Sequence, residues 1–248
     1  MKILIAALVL LTSLPTYAED MQKYLNYTQD LVLQGKNEEA LERFLWFHDH
    51  ALEHEPAMYG VRLSFALMYW KELGDSYPPA LTAMKKTRDD KTILLENQKG
   101  NPNLFHDVMS LNETLGDDDK TIMLFRRLDQ EQKDLAAQCW DIAKTPIIKA
   151  KAYDLIKKHI GNPVREFVKV KAMYEQNTEM YGGKNFGESF KAWNENNLVE
   201  ETLRLIEVAI ALDETKAAKE IQEKGLAIVD DHRLRDAIPA EKNIDAQQ

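Results

Sequence analysis

The sequence has a single cysteine, Cys139, so no disulfide bond can form within the chain. Basic residues are also in the minority, with 32 Lys and Arg against 41 Asp and Glu and a formal net charge of −9. Nucleic-acid binding depends on an excess of positive charge, so this composition argues against a nucleic-acid partner. Stability has to come from packing of the 44% hydrophobic residues, and we expect Cys139 to be a small core residue.

Long apolar runs are missing after the first residues, and so is any sustained two-residue alternation of β-branched side chains. The first absence predicts no transmembrane anchor in the mature chain. The second predicts an all-α fold.

The N-terminal residues carry one charge at Lys2, an apolar run over residues 3–11, a helix breaker at Pro15 and a small residue at Ala18. This arrangement is typical of a secretory signal peptide. We therefore predict a signal peptide at residues 1–18 with cleavage after Ala18, and an exported protein that is periplasmic or secreted.

A pattern of two amphipathic helices joined at a glycine recurs along the chain. The first copy has its turn at Gly35, the second at Gly74 and the third at Gly116. Glycine can adopt the left-handed conformation that ends many helices, and acidic residues follow Gly35 and Gly116, where a helix N-terminus favours them. The pattern predicts three helical hairpins of similar design.

On these residues the chain resembles the tetratricopeptide-repeat family, whose helix-turn-helix units stack into a solenoid. The residues that carry the resemblance are the turn and small or aromatic positions Gly35, Asn37, Glu38, Glu39, Ala40, Leu41, Phe44, Trp70, Gly74, Ala80, Leu81, Phe105, Gly116 and Phe125. The resemblance implies antiparallel helical hairpins stacked as an α-solenoid over residues 19–180. It also implies that the concave surface of the solenoid binds another protein or peptide.

Three pairs of residues, Asn101 with Pro102, Thr145 with Pro146 and Asn162 with Pro163, predict further helix starts, because a capping side chain precedes a proline. The glycine- and asparagine-rich stretch 181–197 predicts a loop or hinge. We expect a C-terminal capping hairpin at 198–238 and a flexible polar tail at 239–248.

One short motif suggests chemistry. His50, Glu53 and His54 match the H-x-x-E-H pattern of a class of zinc peptidases, in which two histidines bind zinc and the glutamate is the general base. The alternative interpretations are a surface metal site or histidines on the exposed end of a helix. We predict the exposed helix end and no bound cofactor, because short motifs often match by chance.

Residues 144–173 contain eight basic and two acidic side chains, a local charge of +6. This excess predicts contact with an anionic partner, with a solvated helix face as the alternative. Aromatic residues near the glycine-rich stretch could form the wall of a binding groove. The predicted partner-binding residues are Lys149, Lys157, Lys158, Arg165, Lys169, Tyr181 and Phe186.

The sequence therefore predicts an exported, non-enzymatic protein that binds a partner protein or peptide. Two alternatives stay open, a zinc-dependent hydrolase that uses His50, Glu53 and His54, and a structural subunit of an envelope complex.

Overall fold

A computed structural model describes residues 20–181 and 187–238 of the chain. The predicted signal peptide at 1–18 and the predicted tail at 239–248 lie outside these residues. The described chain is helical throughout and contains no β-strand, which confirms the all-α prediction for this part of the protein.

The helices follow one another with short connections, and a 3-10 turn at Pro56–Met58 links two of them. They are α1 Met21–Leu33, α2 Asn37–His54, α3 Tyr59–Leu63, α4 Phe65–Ser76, α5 Pro78–Glu96, α6 Pro102–Leu115, α7 Asp118–Glu131, α8 Lys133–Lys149, α9 Tyr153–His159, α10 Pro163–Tyr181, α11 Gly187–Ala211, α12 Thr215–Leu226 and α13 His232–Arg235.

The described residues form two compact units. The first contains residues 20–93 and 107–117, and the second contains residues 94–106, 118–181 and 187–238. Helices α5 and α6 contribute residues to both units.

The first hairpin of the first unit, α1 with α2, forms as the sequence predicts. Asp20 caps α1 by accepting hydrogen bonds from the backbone N–H groups of Gln22 and Lys23, each at 3.1 Å. Gly35 then takes a φ of +73°, the left-handed conformation that ends the helix and turns the chain. Gly116 adopts the same φ at the third predicted turn.

Gly74 does not form the second predicted turn. It lies inside α4, and the chain turns three residues later, at Tyr77. A Cβ atom on Gly74 would lie 3.1 Å from the backbone nitrogen of Leu81 in α5. The glycine is therefore used for close approach of two helices, a role that local sequence does not distinguish from a turn.

A buried cluster of charged and polar side chains joins four helices of the first unit. Arg62 donates one hydrogen bond to the backbone oxygen of His48 at 3.0 Å and another to Oδ1 of Asp107 at 2.5 Å. Lys91 donates to Oδ2 of the same carboxylate at 3.0 Å. Asp107 is thereby the shared counterion of two cations in a largely dry environment, an arrangement that links α2, α3, α5 and α6.

The His48 imidazole in this cluster is buried and electrically neutral. Neither ring nitrogen has a hydrogen-bond partner among the described residues, and Nε2 lies 3.9 Å from Asp107 Oδ2. Burial, together with the nearby positive charges of Lys91 and Arg62, lowers the pKa of His48 to about 3, although the negative charge of Asp107 acts in the opposite direction.

The pKa of Asp107 in the same cluster results from opposing effects. Burial by itself would raise it, but the hydrogen bond from Arg62 and the positive charges of Arg62 and Lys91 outweigh burial. The pKa of Asp107 is therefore held below its ordinary value of 3.8.

The second unit has an aromatic core and two predicted helix caps. Phe105, Phe125 and Trp140 form a chain of ring contacts with centroid distances of 6.2 and 6.0 Å. Asn101 caps α6 by accepting a hydrogen bond from Leu104 N at 2.9 Å. Asn162 caps α10 by accepting one from Arg165 N at 3.1 Å. Both caps agree with the predicted helix starts.

Two other boundary predictions are wrong. Pro146 does not begin a helix; it lies within α8, which ends three residues later at Lys149, and its missing N–H removes one hydrogen bond to the preceding turn. The loop predicted at 181–197 is helical from residue 187 onward, because α11 begins at Gly187. Tertiary hydrogen bonds to Asn194, described below, stabilise an asparagine-rich segment that in isolation favours a turn. Residues 182–186 lie outside the described chain.

Candidate interaction surface

Helices α10 and α11 form an antiparallel pair that is well packed at one end only. Near the start of α10, Pro163, Glu166 and Phe167 are buried. Over residues 168–181 and 187–193, by contrast, no side chain is fully buried. The thirteen residues of α1 bury five side chains, so this lack of a core is unusual for a helical segment of the same protein.

The difference arises because other helices cover only the first part of the pair. Helix α12 packs closely against α11 at Thr202, where a Cβ on Gly225 would lie 2.8 Å from the Thr202 methyl group. Arg233 of α13 then reaches Glu200 Oε1 at 2.8 Å and Asn196 Oδ1 at 3.0 Å. The distal hairpin, defined here as residues 168–181 and 187–195, extends beyond these contacts.

A polar clasp holds the two helices of the distal hairpin together. Asn194, which is buried, donates to the backbone oxygen of Tyr174 at 3.1 Å and to Thr178 Oγ1 at 3.0 Å. It also accepts a hydrogen bond from Asn177 Nδ2 at 3.2 Å. Because the clasp fixes the pairing of α10 and α11 through polar groups, the large apolar side chains nearby are left on the outside.

These outward side chains are methionines and aromatic residues. The exposed fractions are 60% for Met173, 58% for Met180, 38% for Tyr181 and 56% for Trp193. The Phe190 ring lies between two of them, with centroid distances of 5.5 Å to Tyr181 and 5.6 Å to Trp193. We call these five residues the distal hairpin surface.

Such side chains are suited to binding. Tryptophan and tyrosine are enriched among the residues that dominate interface energetics, and methionine adapts its shape to different apolar partners. A group of five such residues, of which four are exposed, is a candidate protein-binding surface.

Glutamates outnumber lysines around the distal hairpin surface. The described residues of the distal hairpin have four glutamates and three lysines, which are Glu175, Glu179, Glu188 and Glu195 against Lys169, Lys171 and Lys191. Lys169 Nζ lies 2.7 Å from Glu166 Oε1 and Lys171 Nζ lies 3.2 Å from Glu175 Oε1. The charge at the edge of the surface is therefore negative among these residues.

Of the predicted partner-binding residues, Tyr181 belongs to the distal hairpin surface, whereas Phe186 lies outside the described residues. The basic residues Lys149, Lys157, Lys158, Arg165 and Lys169 are all exposed. The methionines and Trp193 were not among the predicted site residues. The seven-residue spacing of Met173 and Met180 on one face of a helix is the signal that indicates them.

Acidic residues from other helices neutralise much of the predicted basic region. Lys158 Nζ lies 2.7 Å from the Asp129 carboxylate, and Lys151 Nζ lies 2.5 Å from Glu207 Oε1. Asp141, which precedes this region in sequence, has its Oδ1 atom 2.9 Å from Lys144 Nζ and 3.5 Å from Lys169 Nζ. The local charge of +6 read from residues 144–173 is therefore not the charge that this region presents in the folded protein.

The histidine motif lies at the end of α2. The rings of His50 and His54 lie 5.4 and 5.3 Å from the Trp46 ring, and His50 Nδ1 is 3.2 Å from Glu53 Oε1. Among the residues that the structure describes, no group of three or more His, Cys, Asp and Glu side chains is placed to hold a metal ion. The rings of His50 and His54 therefore both contact Trp46 near the end of α2.

Comparisons with known proteins found no match to this chain among protein-family models, curated proteins or solved structures. None of the helices in the described ranges is both long enough and apolar enough to cross a membrane. Any function has to be argued from the surfaces described above.

Proposed function

We propose that this chain is a non-enzymatic interaction module that binds another protein through the distal hairpin surface. The observation that carries the proposal is the exposure of Met173, Met180, Tyr181 and Trp193 on a helical pair without a core of its own. Apolar groups gain free energy when a partner removes them from water, at roughly 25 cal/mol for each Å².

The polar clasp supports this function because it holds the surface in one arrangement before the partner arrives. Asn194 bonds to three groups of α10, so the positions of the aromatic rings are set by α-helical backbone and not by a loop. A preformed surface loses less conformational entropy on binding.

Three further parts of the proposal rest on the sequence. Export to the periplasm or the exterior depends on residues 1–18, and membership of a tetratricopeptide-like family depends on the repeated hairpin pattern. Stacking of those hairpins as a solenoid with a concave binding face also stays a prediction.

The direct test is site-specific photocrosslinking in the compartment where the protein resides. A photoreactive phenylalanine analogue replaces Trp193 in one variant and Met123 of α7 in a control variant. Met123 is 67% exposed and is far from Trp193 in sequence. We expect a discrete protein adduct from position 193 and none from position 123. Equal labelling at both positions, or no adduct at 193, would contradict the proposal.

Two other measurements separate this function from the alternatives. A structural subunit of an envelope complex would keep its partners during extraction and size-exclusion chromatography, whatever residue stands at position 193. A zinc hydrolase would contain stoichiometric zinc that is lost in the His54→Ala variant.

A further inference from the structure

The chain between α2 and α4 has little local structure to hold it in place. It runs through the extended residue Glu55, the 3-10 turn at Pro56–Met58 and the five residues of α3, and neither short helix has a side-chain N-cap. A helix of this length is not stable by itself, because nucleation costs more than so few hydrogen bonds return. Residues 55–64, called here the α3 segment, therefore depend on tertiary contacts.

The α3 segment buries three side chains against the rest of the first unit. Met58 and Leu63 are the apolar ones, with exposed fractions of 8% and 9%. Arg62 supplies the polar contacts, since it donates to the backbone oxygen of His48 and to Oδ1 of Asp107. The polar attachment of the segment thus lies in the same buried cluster as the His48 imidazole.

The charged and titratable groups around His48 come from several helices. They are Asp49 of α2, Tyr59 and Arg62 of α3, Lys91 of α5 and Asp107 of α6, and α4 contributes the uncharged ring of Trp70. Asp107 Oδ2 lies 3.9 Å from His48 Nε2 and would attract an imidazolium, but this carboxylate already accepts hydrogen bonds from Arg62 and Lys91. A proton on His48 would therefore add a third positive charge to a buried cluster whose carboxylate is already engaged by two cations.

We propose that protonation of His48 in mild acid releases the α3 segment from this cluster, while the rest of the first unit keeps its fold. Release lets water reach the imidazole and the guanidinium, so that both charges become solvated. The α3 segment is the part that leaves because Arg62 holds it, and an imidazolium repels Arg62. His48 and Lys91, by contrast, lie within helices of 18 and 19 residues.

The first unit thereby contains a pH-responsive element. This inference does not depend on the proposed function, because the distal hairpin surface belongs to the second unit.

Proton linkage gives the size of the effect. The closed cluster lowers the pKa of His48 to about 3, and the released form returns it to the ordinary value of 6.5. The released form thus binds a proton that the closed form does not, and the closed form loses stability as the pH falls below 6.5. The ratio of released to closed molecules rises about 25-fold from pH 7 to pH 5.

Hydrogen exchange of the full chain measures this ratio. Mass spectrometry at pH 7 and pH 5, corrected for intrinsic exchange rates, gives the protection of each segment. We expect protection of residues 58–64 to fall about 25-fold between these pH values in the wild type, and less than threefold in His48→Leu. The matched control His50→Leu removes an exposed histidine of the same helix and should keep the full fall.

Urea separates release of the α3 segment from unfolding of the whole unit. A local opening exposes little surface, so exchange of residues 58–64 at pH 5 should change less than twofold between 0 and 1 M urea. The slowest amides of α2 exchange only when the unit unfolds and should become at least fivefold faster.

Three results would overturn the inference. Equal acceleration of α2 and the α3 segment by urea would mean that the first unit opens as a whole. A fall in protection in His48→Leu as large as in the wild type would assign the effect to another group. A fall of less than threefold in the wild type would mean that the segment stays closed in mild acid, and this result decides the matter even if His48→Leu does not fold.

Discussion

Mild acid should destabilise this protein through His48. The imidazole is neutral and buried in the fold, with its pKa lowered to about 3 from an ordinary value of 6.5. Between these two values the unfolded chain binds a proton that the folded chain does not, so stability falls as the pH falls. Each pH unit below 6.5 removes about 1.4 kcal/mol, which gives a loss of about 2 kcal/mol from pH 7 to pH 5.

The informative variant is His48→Leu, which keeps the volume and removes the titrating group. At pH 7 we expect it to be as stable as the wild type or more so, because the imidazole nitrogens have no hydrogen-bond partner among the described residues. Urea unfolding followed by circular dichroism at pH 7 and pH 5 gives the free energies. The wild type should lose about 2 kcal/mol more than the variant between these pH values.

The reasoning is refuted if the two proteins lose stability in parallel, within about 0.5 kcal/mol. A large loss of stability in His48→Leu at pH 7 would likewise show that the imidazole makes a stabilising polar contact. The range from pH 7 to pH 5 lies above the lowered pKa of Asp107, so titration of that carboxylate does not contribute.

Further predictions concern the charged cluster, the clasp, one close approach and the cysteine. Asp107→Asn leaves two cations without their shared counterion and should cost about 3–5 kcal/mol at pH 7, with a smaller effect as the pH falls below 3.8. Asn194→Ala should speed amide hydrogen exchange in residues 187–193 while the core of the second unit stays protected. Gly74→Ala should destabilise by about 1–3 kcal/mol in urea unfolding, since its Cβ would meet α5, whereas Gly60→Ala meets nothing within 4 Å and should be neutral or stabilising. Cys139 is buried and burial raises its pKa to about 12, so a thiol reagent at pH 8 should label it only after unfolding in urea.

Each of these has an outcome that contradicts it. For the charged cluster, the matched control is Asp90→Asn, which removes an exposed partner of Lys86 and should change stability by less than about 0.5 kcal/mol. Equal effects of the two substitutions would mean that Asp107 is not a buried counterion. For Asn194→Ala, uniform amide exchange throughout the second unit would contradict the prediction. For the glycine variants, equal stability of Gly74→Ala and Gly60→Ala would do so. For Cys139, labelling of the thiol in the native protein would do so.

Much of the fold could be predicted because helix formation depends on nearby residues. The left-handed glycines at Gly35 and Gly116 and the asparagine caps at Asn101 and Asn162 form hydrogen bonds within five residues of themselves. Prediction from local sequence was wrong at Gly74, where the glycine is needed because Leu81 of the next helix, α5, packs closely against it. It was also wrong over residues 187–197, where partners in α10 stabilise the helix.

The candidate site was predicted only in part. Aromatic residues beside a glycine-rich stretch indicated the region that contains the distal hairpin surface, and Tyr181 belongs to that surface. The basic residues of 144–173 predict an anionic partner, but the charge of this region depends on acids that are distant in sequence, such as Asp129 and Glu207. Met173 and Met180 have the helical spacing of core residues, and no local pattern shows that their side chains stay exposed.

The sequence by itself therefore determined the helical class of the described chain and most helix ends, because backbone hydrogen bonding and capping are local. Only the tertiary structure decided which apolar side chains stay exposed and which charges are neutralised. Burial and ion pairing depend on residues from other helices, and these meet only when the chain has folded. The distal hairpin surface is the clearest example, because its residues are of the types that fill a core and yet four of the five are exposed.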